Sequence, residues 1–256
     1  MTKAEATPKS SAFIRWMGRS GSVLVGSHVD GVRAIVSLPL LFALLIGWEF
    51  VQHIIEVRLG FYDSPEAARA VVNDASRMVF GWIKMASVYV GGFFVIRYLW
   101  RRDRGAAISP LVPAFLRYLP YIVYSLTLFG LVFYAPQIVP AAHANTLRAV
   151  VGLGQVIIEP MLMFWIVAAA TDGAVKTPLG SARMMGWLYF WAFVLYFVAR
   201  LPVNLLHQFL NRYAMGQSDI VLWALLAFDA LVVGMIIAVV PAIYVRIVTA
   251  IRTARS

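Results

Sequence analysis

The sequence predicts an all-α membrane protein, a bundle of six transmembrane helices with both termini in the cytoplasm. Of its 256 residues, 61% are hydrophobic and the mean hydropathy is +0.79. A water-facing domain of this length could not bury so much apolar surface. Six separate segments are also long enough to cross a hydrocarbon core, which takes about 20 helical residues for a thickness of about 30 Å. Lipid is therefore the expected solvent for most of the chain.

The six predicted spans are separated by short connections. They are expected near residues 33–54, 79–100, 111–135, 148–170, 182–206 and 219–245. Three helix starts carry a capping residue followed by proline at the first helical position: Ser64-Pro65, Ser109-Pro110 and Thr177-Pro178. The first of these pairs opens a predicted amphipathic helix around residues 65–78, in which charged side chains alternate with alanine and valine. We expect this helix to lie along the outer membrane surface.

The distribution of lysine and arginine predicts the orientation. Most of the 22 basic residues fall on the side that also holds both termini, and basic short loops are retained in the cytoplasm during insertion. The net charge of +10 is then explained by topology and by affinity for anionic lipid headgroups on the cytoplasmic face, so nucleic acid is not an expected partner. We expect a multi-pass membrane protein, and a protein partner or a homo-oligomer remains open.

The pattern predicts one transmembrane domain, residues 30–246, and no second folded domain, which would need upwards of about 50 residues. Residues 1–29 form a cytoplasmic N-terminal segment, and residues 247–256 form a basic cytoplasmic tail. The N-terminal segment is not expected to be a cleaved signal peptide, because its longest apolar stretch is only Val23-Leu24-Val25. Aromatic and basic residues between 13 and 19 fit a short interfacial helix, and a disordered tail is the alternative.

A first group of polar residues lies toward the outer ends of the spans. Glu49, His53 and Glu56 are spaced by four and three residues, which places them on one helical face, with Gln52 beside them. The facing candidates are Lys84, Arg200, Asn204 and His207. Imidazole and carboxylate groups could hold a divalent metal or pass protons, and the cations could bind an anionic headgroup. The alternative is that these groups reach interfacial water and join helices without any further role.

A second group lies near the predicted membrane midplane. Glu159 and Asp229 each come about ten residues into a span, and Gln155 lies one turn from Glu159. Pro160 cannot donate a hydrogen bond to the carbonyl of Val156, which leaves a free acceptor nearby. The combination fits an ion or proton site, and it equally fits a protonated carboxyl group that joins two helices.

Catalytic chemistry finds little support in the sequence. There is no cysteine, which excludes disulfides, thiolate metal sites and iron–sulfur clusters. Nucleotide-binding loops, the HExxH metal motif and the GxSxG nucleophile motif are also missing. His53 and His207 are a poor match to a haem-ligating pair, so no cofactor and no catalytic residue are predicted. The tyrosines and tryptophans are expected to form belts at the membrane interfaces.

One segment resembles a known group of proteins. The run from Thr177 to Trp187, TPLGSARMMGW, leads from an inner loop into a span. It resembles the equivalent segment of six-span bacterial proteins of the YciC-like family and of the membrane domain that accompanies some glycerophosphodiester phosphodiesterases. The resemblance implies an inner-membrane protein of largely unassigned role. It does not transfer phosphodiesterase activity, because the chain has no soluble domain to carry that site.

Two functions follow as hypotheses. The first is a lipid- or partner-interacting membrane subunit, centred on the outer polar residues. The second is a small transporter or channel that uses the midplane carboxylates for ion or proton coupling.

Overall fold

The computed structural model describes residues 9–104 and 108–255, and within these ranges the chain is helical without any strand. The predicted fold class is confirmed, since six helices are long and apolar enough to cross a membrane. The helices are α1 (Lys9–Ser37), α2 (Pro39–Arg58), α3 (Pro65–Val71), α4 (Ala75–Arg104), α5 (Leu111–Phe133), α6 (Ala135–Ile138), α7 (Ala141–Ala170), α8 (Pro178–Met185), α9 (Tyr189–Ala214) and α10 (Asp219–Arg255). The candidate spans are α2, α4, α5, α7, α8 together with α9, and α10.

The longest helix, α10, is the centre of the bundle. Its 37 residues extend over about 55 Å at the usual rise of 1.5 Å per residue. It packs against α1, α2, α4, α7 and α9, and most residues of its second half are buried. Glycine allows a close contact at Gly31 of α1, because a Cβ atom there would lie 3.0 Å from the side chain of Val239.

The first span begins later than the sequence predicts. Residues 33–37 belong to α1, and the spanning helix α2 runs from Pro39 to Arg58 instead of over residues 33–54. The bend lies at Leu38, whose backbone is not helical (φ −121°, ψ 55°). The proline that follows disfavours the helical conformation at the preceding residue, which explains the bend.

The N-terminal segment is mostly helical. α1 lies antiparallel to α10, with Arg19 beside Ala254 at one end and Gly31 beside Val239 further along. Residues 1–8 of the predicted segment, and the side chains of Phe13, Ile14 and their neighbours up to residue 17, lie outside the part of the chain that the structure describes.

Two other helical segments differ from the prediction. The amphipathic helix expected over residues 65–78 ends at Val71, and α4 begins separately at Ala75. The fifth span, expected to be continuous from residue 182, is interrupted at Gly186, whose φ of +54° favours glycine. A single 3₁₀ turn, Gly186–Leu188, then leads into α9.

Two of the three predicted caps form. The Ser64 hydroxyl accepts a hydrogen bond from the Ala67 amide, and the Thr177 hydroxyl accepts one from the Gly180 amide. The prediction at Ser109 is wrong, because α5 begins only at Leu111 and no side chain caps it. The Ser109 amide instead donates to the Thr171 carbonyl and so joins two loops.

A buried ion network joins three helices near the chain termini. Asp30 of α1 is 1% exposed and accepts hydrogen bonds from Arg102 of α4, at 2.8 Å, and Arg246 of α10, at 2.5 Å. Burial by itself would raise the pKa of this carboxyl, but the two arginines outweigh burial and hold the pKa below its usual value of 3.8. Because this network lies between α1 and the span bundle, we name its side of the molecule the termini end. The opposite side is the α3 end, and the membrane face that each end meets remains a prediction.

Candidate functional site

A polar cluster of ten side chains lies inside the bundle at the α3 end. On α2, the predicted face is buried, with Glu49 and His53 each 1% exposed and Glu56 3% exposed. Side chains from α4, α9, α10 and the loop before α3 complete the set. The α3-end cluster consists of Glu49, Gln52, His53, Glu56, Tyr62, Arg77, Lys84, His207, Asn211 and Asp229.

His53 is the centre of this cluster, because both of its ring nitrogens face carboxylates. Its Nε2 lies 3.1 Å from Asp229 Oδ2 and 3.6 Å from Glu49 Oε1. Its Nδ1 lies 3.2 Å from Glu56 Oε2. A neutral imidazole can donate through only one nitrogen, so its second nitrogen can take a proton, a hydrogen-bond donor or a bound cation.

Each carboxylate of the cluster has a second partner. Lys84 of α4 lies 2.9 Å from Glu49, and Arg77 of the same helix donates to Glu56 at 2.9 Å. Asp229 of α10 is fully buried, and α9 supplies both of its remaining contacts. These are His207 Nδ1 at 2.8 Å and the Asn211 side-chain amide at 2.9 Å.

Tyr62, in the loop before α3, closes the cluster. Its hydroxyl lies 3.0 Å from His53 Nδ1 and donates to the side-chain oxygen of Asn211 at 2.9 Å. Burial, followed by the charges of Glu56 and Asp229, raises the pKa of Tyr62 far above its usual value, so the group stays a neutral hydroxyl. The loop is fixed by a backbone hydrogen bond from Gly216 to the Tyr62 carbonyl, at 2.8 Å.

A second polar site surrounds Glu159 of α7, deeper in the bundle. One carboxylate oxygen accepts hydrogen bonds from Tyr121 at 2.7 Å and Tyr244 at 2.5 Å, and the other accepts one from Tyr196. Arg200 lies 3.8 Å from the second oxygen and also donates to the Tyr196 hydroxyl. The Glu159 carboxyl group thus has three hydroxyl donors and an adjacent guanidinium around its two oxygens.

Arg200 lines both a cavity beside Glu159 and a groove between α7 and α9. The cavity, of about 160 Å³, is lined by Glu159, Gln155 and Arg200 together with tyrosines and apolar side chains. The groove, of about 340 Å³, runs between α7 and α9. Its lining residues are Val156, Phe197, Arg200, Leu201, Asn204, Leu205 and Gln208.

The structure therefore groups the candidate residues differently from the two groups that the sequence analysis predicted. Glu49, His53, Glu56, Lys84 and His207 come together. Two α9 residues expected beside them, Arg200 and Asn204, lie in the groove, and Arg200 pairs with Glu159. Asp229, expected at the same depth as Glu159, belongs to the α3-end cluster.

Several residues of these sites were not predicted. Tyr62 and Asn211 lie outside the predicted spans, where a tyrosine or asparagine gives no signal of its own. Arg77 was placed on a surface helix, although it belongs to α4. The tyrosines around Glu159 were expected in interfacial belts, and Tyr196 and Tyr244 are in fact buried. A spacing of four residues between Tyr196 and Arg200 was the one local signal of their contact.

Comparisons with known proteins give no assignment for these sites. The chain matches no protein-family model, no curated protein and no solved structure, so its function has to be argued from its own geometry.

Proposed function

We propose that this multi-pass membrane protein is a lipid-interacting subunit of the bacterial inner membrane, and that the groove between α7 and α9 binds a phospholipid. The observation that carries the proposal is a polar stripe in this groove. Arg200, Asn204 and Gln208 follow one another at intervals of four residues, which places them along one face of α9. Apolar side chains, among them Phe197 and Leu201, flank the stripe.

Such a stripe is costly if it faces only hydrocarbon. Within the described residues, Asn204 and Gln208 make no hydrogen bond, and the buried Nε of Arg200 has no acceptor. A polar group without a partner in an apolar medium costs about 1 to 3 kcal/mol. A headgroup phosphate and its glycerol oxygens would supply acceptors for all three side chains, while the acyl chains cover the apolar flanks.

The charge of Arg200 favours an anionic headgroup. Glu159 Oε2 lies 3.8 Å from the Arg200 guanidinium. Among the described residues, Arg200 donates one hydrogen bond, to the Tyr196 hydroxyl, out of the five that its N–H groups can make. The remaining donors are available for phosphate, which arginine binds with a matching planar geometry.

Native mass spectrometry of the detergent-purified protein tests this proposal. We expect the wild-type chain to retain an anionic phospholipid, and the double variant Asn204→Leu, Gln208→Leu to retain at least about tenfold less, a change of about 1.4 kcal/mol. Arg212→Gln is the matched control, because it removes an exposed charge from the same helix and should leave retention unchanged. Equal lipid retention by the double variant and the wild type would refute the proposal.

Transport through midplane carboxylates is less well supported. Three tyrosine hydroxyls donate to Glu159, and Asp229 is fully buried among hydrogen-bond donors. The cavity does reach Glu159, but its lining is mostly apolar. The resemblance to YciC-like proteins is consistent with a role as a membrane subunit, and membership of that family remains a prediction.

A further inference from the structure

We infer that Glu49, His53 and Asp229 form a binding site for a divalent first-row transition metal. The site lies at the α3 end, apart from the proposed lipid groove, and does not depend on it. It draws its ligands from two helices, since Glu49 and His53 belong to α2 and Asp229 belongs to α10.

The three ligand atoms are already close enough to share one ion. One donor atom from each residue lies within 4.8 Å of the other two. His53 Nε2 is 3.1 Å from Asp229 Oδ2 and 3.6 Å from Glu49 Oε1. Ligands about 2.0 to 2.2 Å from a tetrahedral zinc ion are separated by about 3.3 to 3.6 Å, so only small side-chain movements are needed.

The surroundings match those of a metal-bound histidine. A ligating imidazole almost always donates its other ring N–H to a carboxylate or carbonyl, which fixes the ring and its tautomer. His53 has this arrangement, because its Nδ1 faces Glu56 at 3.2 Å while its Nε2 faces the other ligands. Glu56 is in turn held by Arg77, at 2.9 Å.

The two carboxylate ligands are also held in position. Lys84 contacts Glu49 at 2.9 Å, and His207 contacts Asp229 at 2.8 Å. Glu49 and Asp229 therefore each have an outer partner on another helix, and His53 has Glu56 on its own helix. This support orients the carboxylate oxygens toward His53 before any ion arrives.

The charges of the cluster leave room for one more cation. Three buried carboxylates, Glu49, Glu56 and Asp229, face two permanent cations, Arg77 and Lys84. With neutral histidines the cluster carries one net negative charge. A divalent ion on His53 Nε2 would change this net charge from −1 to +1, and it would occupy the position that a proton on Nε2 otherwise takes.

The ligand set indicates the class of metal. One imidazole and two carboxylates suit zinc, iron or manganese, whereas calcium and magnesium prefer an all-oxygen shell. Three protein ligands leave at least one coordination position for water or another small molecule. Zn²⁺ is therefore a suitable probe, and Co²⁺ is a spectroscopic substitute for it.

Equilibrium dialysis of the chelator-treated, full-length protein against Zn²⁺, followed by metal analysis, tests the inference. We expect one zinc ion per chain for the wild type. Binding should weaken by at least about 100-fold in His53→Gln and in Asp229→Asn, and by about 10- to 100-fold in Glu56→Gln, which removes only the outer partner. The control is His143→Gln, which removes an exposed histidine of α7 and should leave zinc binding unchanged.

Two results would overturn the inference. The first is a wild-type protein that takes up no stoichiometric zinc and gives no Co²⁺ absorption bands. The second is zinc uptake that persists undiminished in His53→Gln and Asp229→Asn. If those variants do not fold, the nearly isosteric Glu49→Gln takes their place, and the wild-type Co²⁺ spectrum remains decisive because it needs no variant.

Discussion

The hydroxyl of Tyr244 should contribute measurably to stability, because it donates to the buried Glu159 carboxylate at 2.5 Å. Replacing Tyr244 with phenylalanine removes this donor and keeps the ring. A hydrogen bond to a charged group contributes about 1.5 to 3 kcal/mol. For a chain of this size, each kcal/mol corresponds to about 2 to 4 °C, so we expect the midpoint of thermal unfolding to fall by about 3 to 12 °C.

Tyr124 provides a matched control for this prediction. It lies on α5, and its buried hydroxyl has no hydrogen-bond partner. Tyr124→Phe should therefore leave the free energy of unfolding within about 0.5 kcal/mol of the wild-type value. Both variants can be followed in detergent by the fluorescence of the eight tryptophans, and SDS titration gives a second measure of stability. Equal losses for Tyr244→Phe and Tyr124→Phe would show that the hydroxyl contacts of Glu159 do not stabilise the bundle.

Three further predictions concern other parts of the fold. Asp30→Asn should cost about 3 kcal/mol, because it leaves two arginines without their buried partner. The pKa of Asp30 is lowered in the folded protein, so its contribution is complete above the ordinary value of 3.8 and is lost as the pH falls through the folded pKa. The stability difference between wild type and Asp30→Asn should thus shrink on acidification, and a difference that is constant with pH would contradict this. Gly31→Leu should destabilise by about 1 to 3 kcal/mol through overpacking against Val239, whereas Gly47→Leu, with open space around its Cβ position, should be tolerated. Gly186→Ala should cost about 1 kcal/mol or more in thermal stability, because its φ of +54° strains any other residue.

Hydropathy was sufficient to predict the six spans, because length and apolar content are local properties of each segment. The boundaries were less predictable where tertiary packing extends a helix. For example, α10 was expected to stop near residue 245. It continues to Arg255, because it packs along α1 beyond the predicted span. Conversely, the bend at Leu38 is caused by Pro39, so the sequence contains the signal that could have predicted it.

The candidate site was predictable only within single helices. The spacing of Glu49, His53 and Glu56 correctly placed them on one face of α2. Arg200 shares a helical face with His207, but seven residues separate them by about 10 Å along the helix axis. Arg200 therefore meets a different neighbour. Which helix lies opposite each residue depends on packing between spans, and a single sequence does not contain that information directly.

The central position of α10 has a consequence for biogenesis. Ribosomes deliver the other five spans to the membrane first, so Asp229 and the helix that carries it arrive after the groups that they bind. Until then, Glu49 and His53 lack Asp229, and Asp30 of α1 lacks Arg246. Before α10 inserts, the first five spans should form a loose assembly, in which the polar groups that are buried in the complete fold are exposed to lipid or water. Insertion of α10 would complete the tertiary structure in one late step, and a chain interrupted before Asp219 should be a ready substrate for membrane proteases.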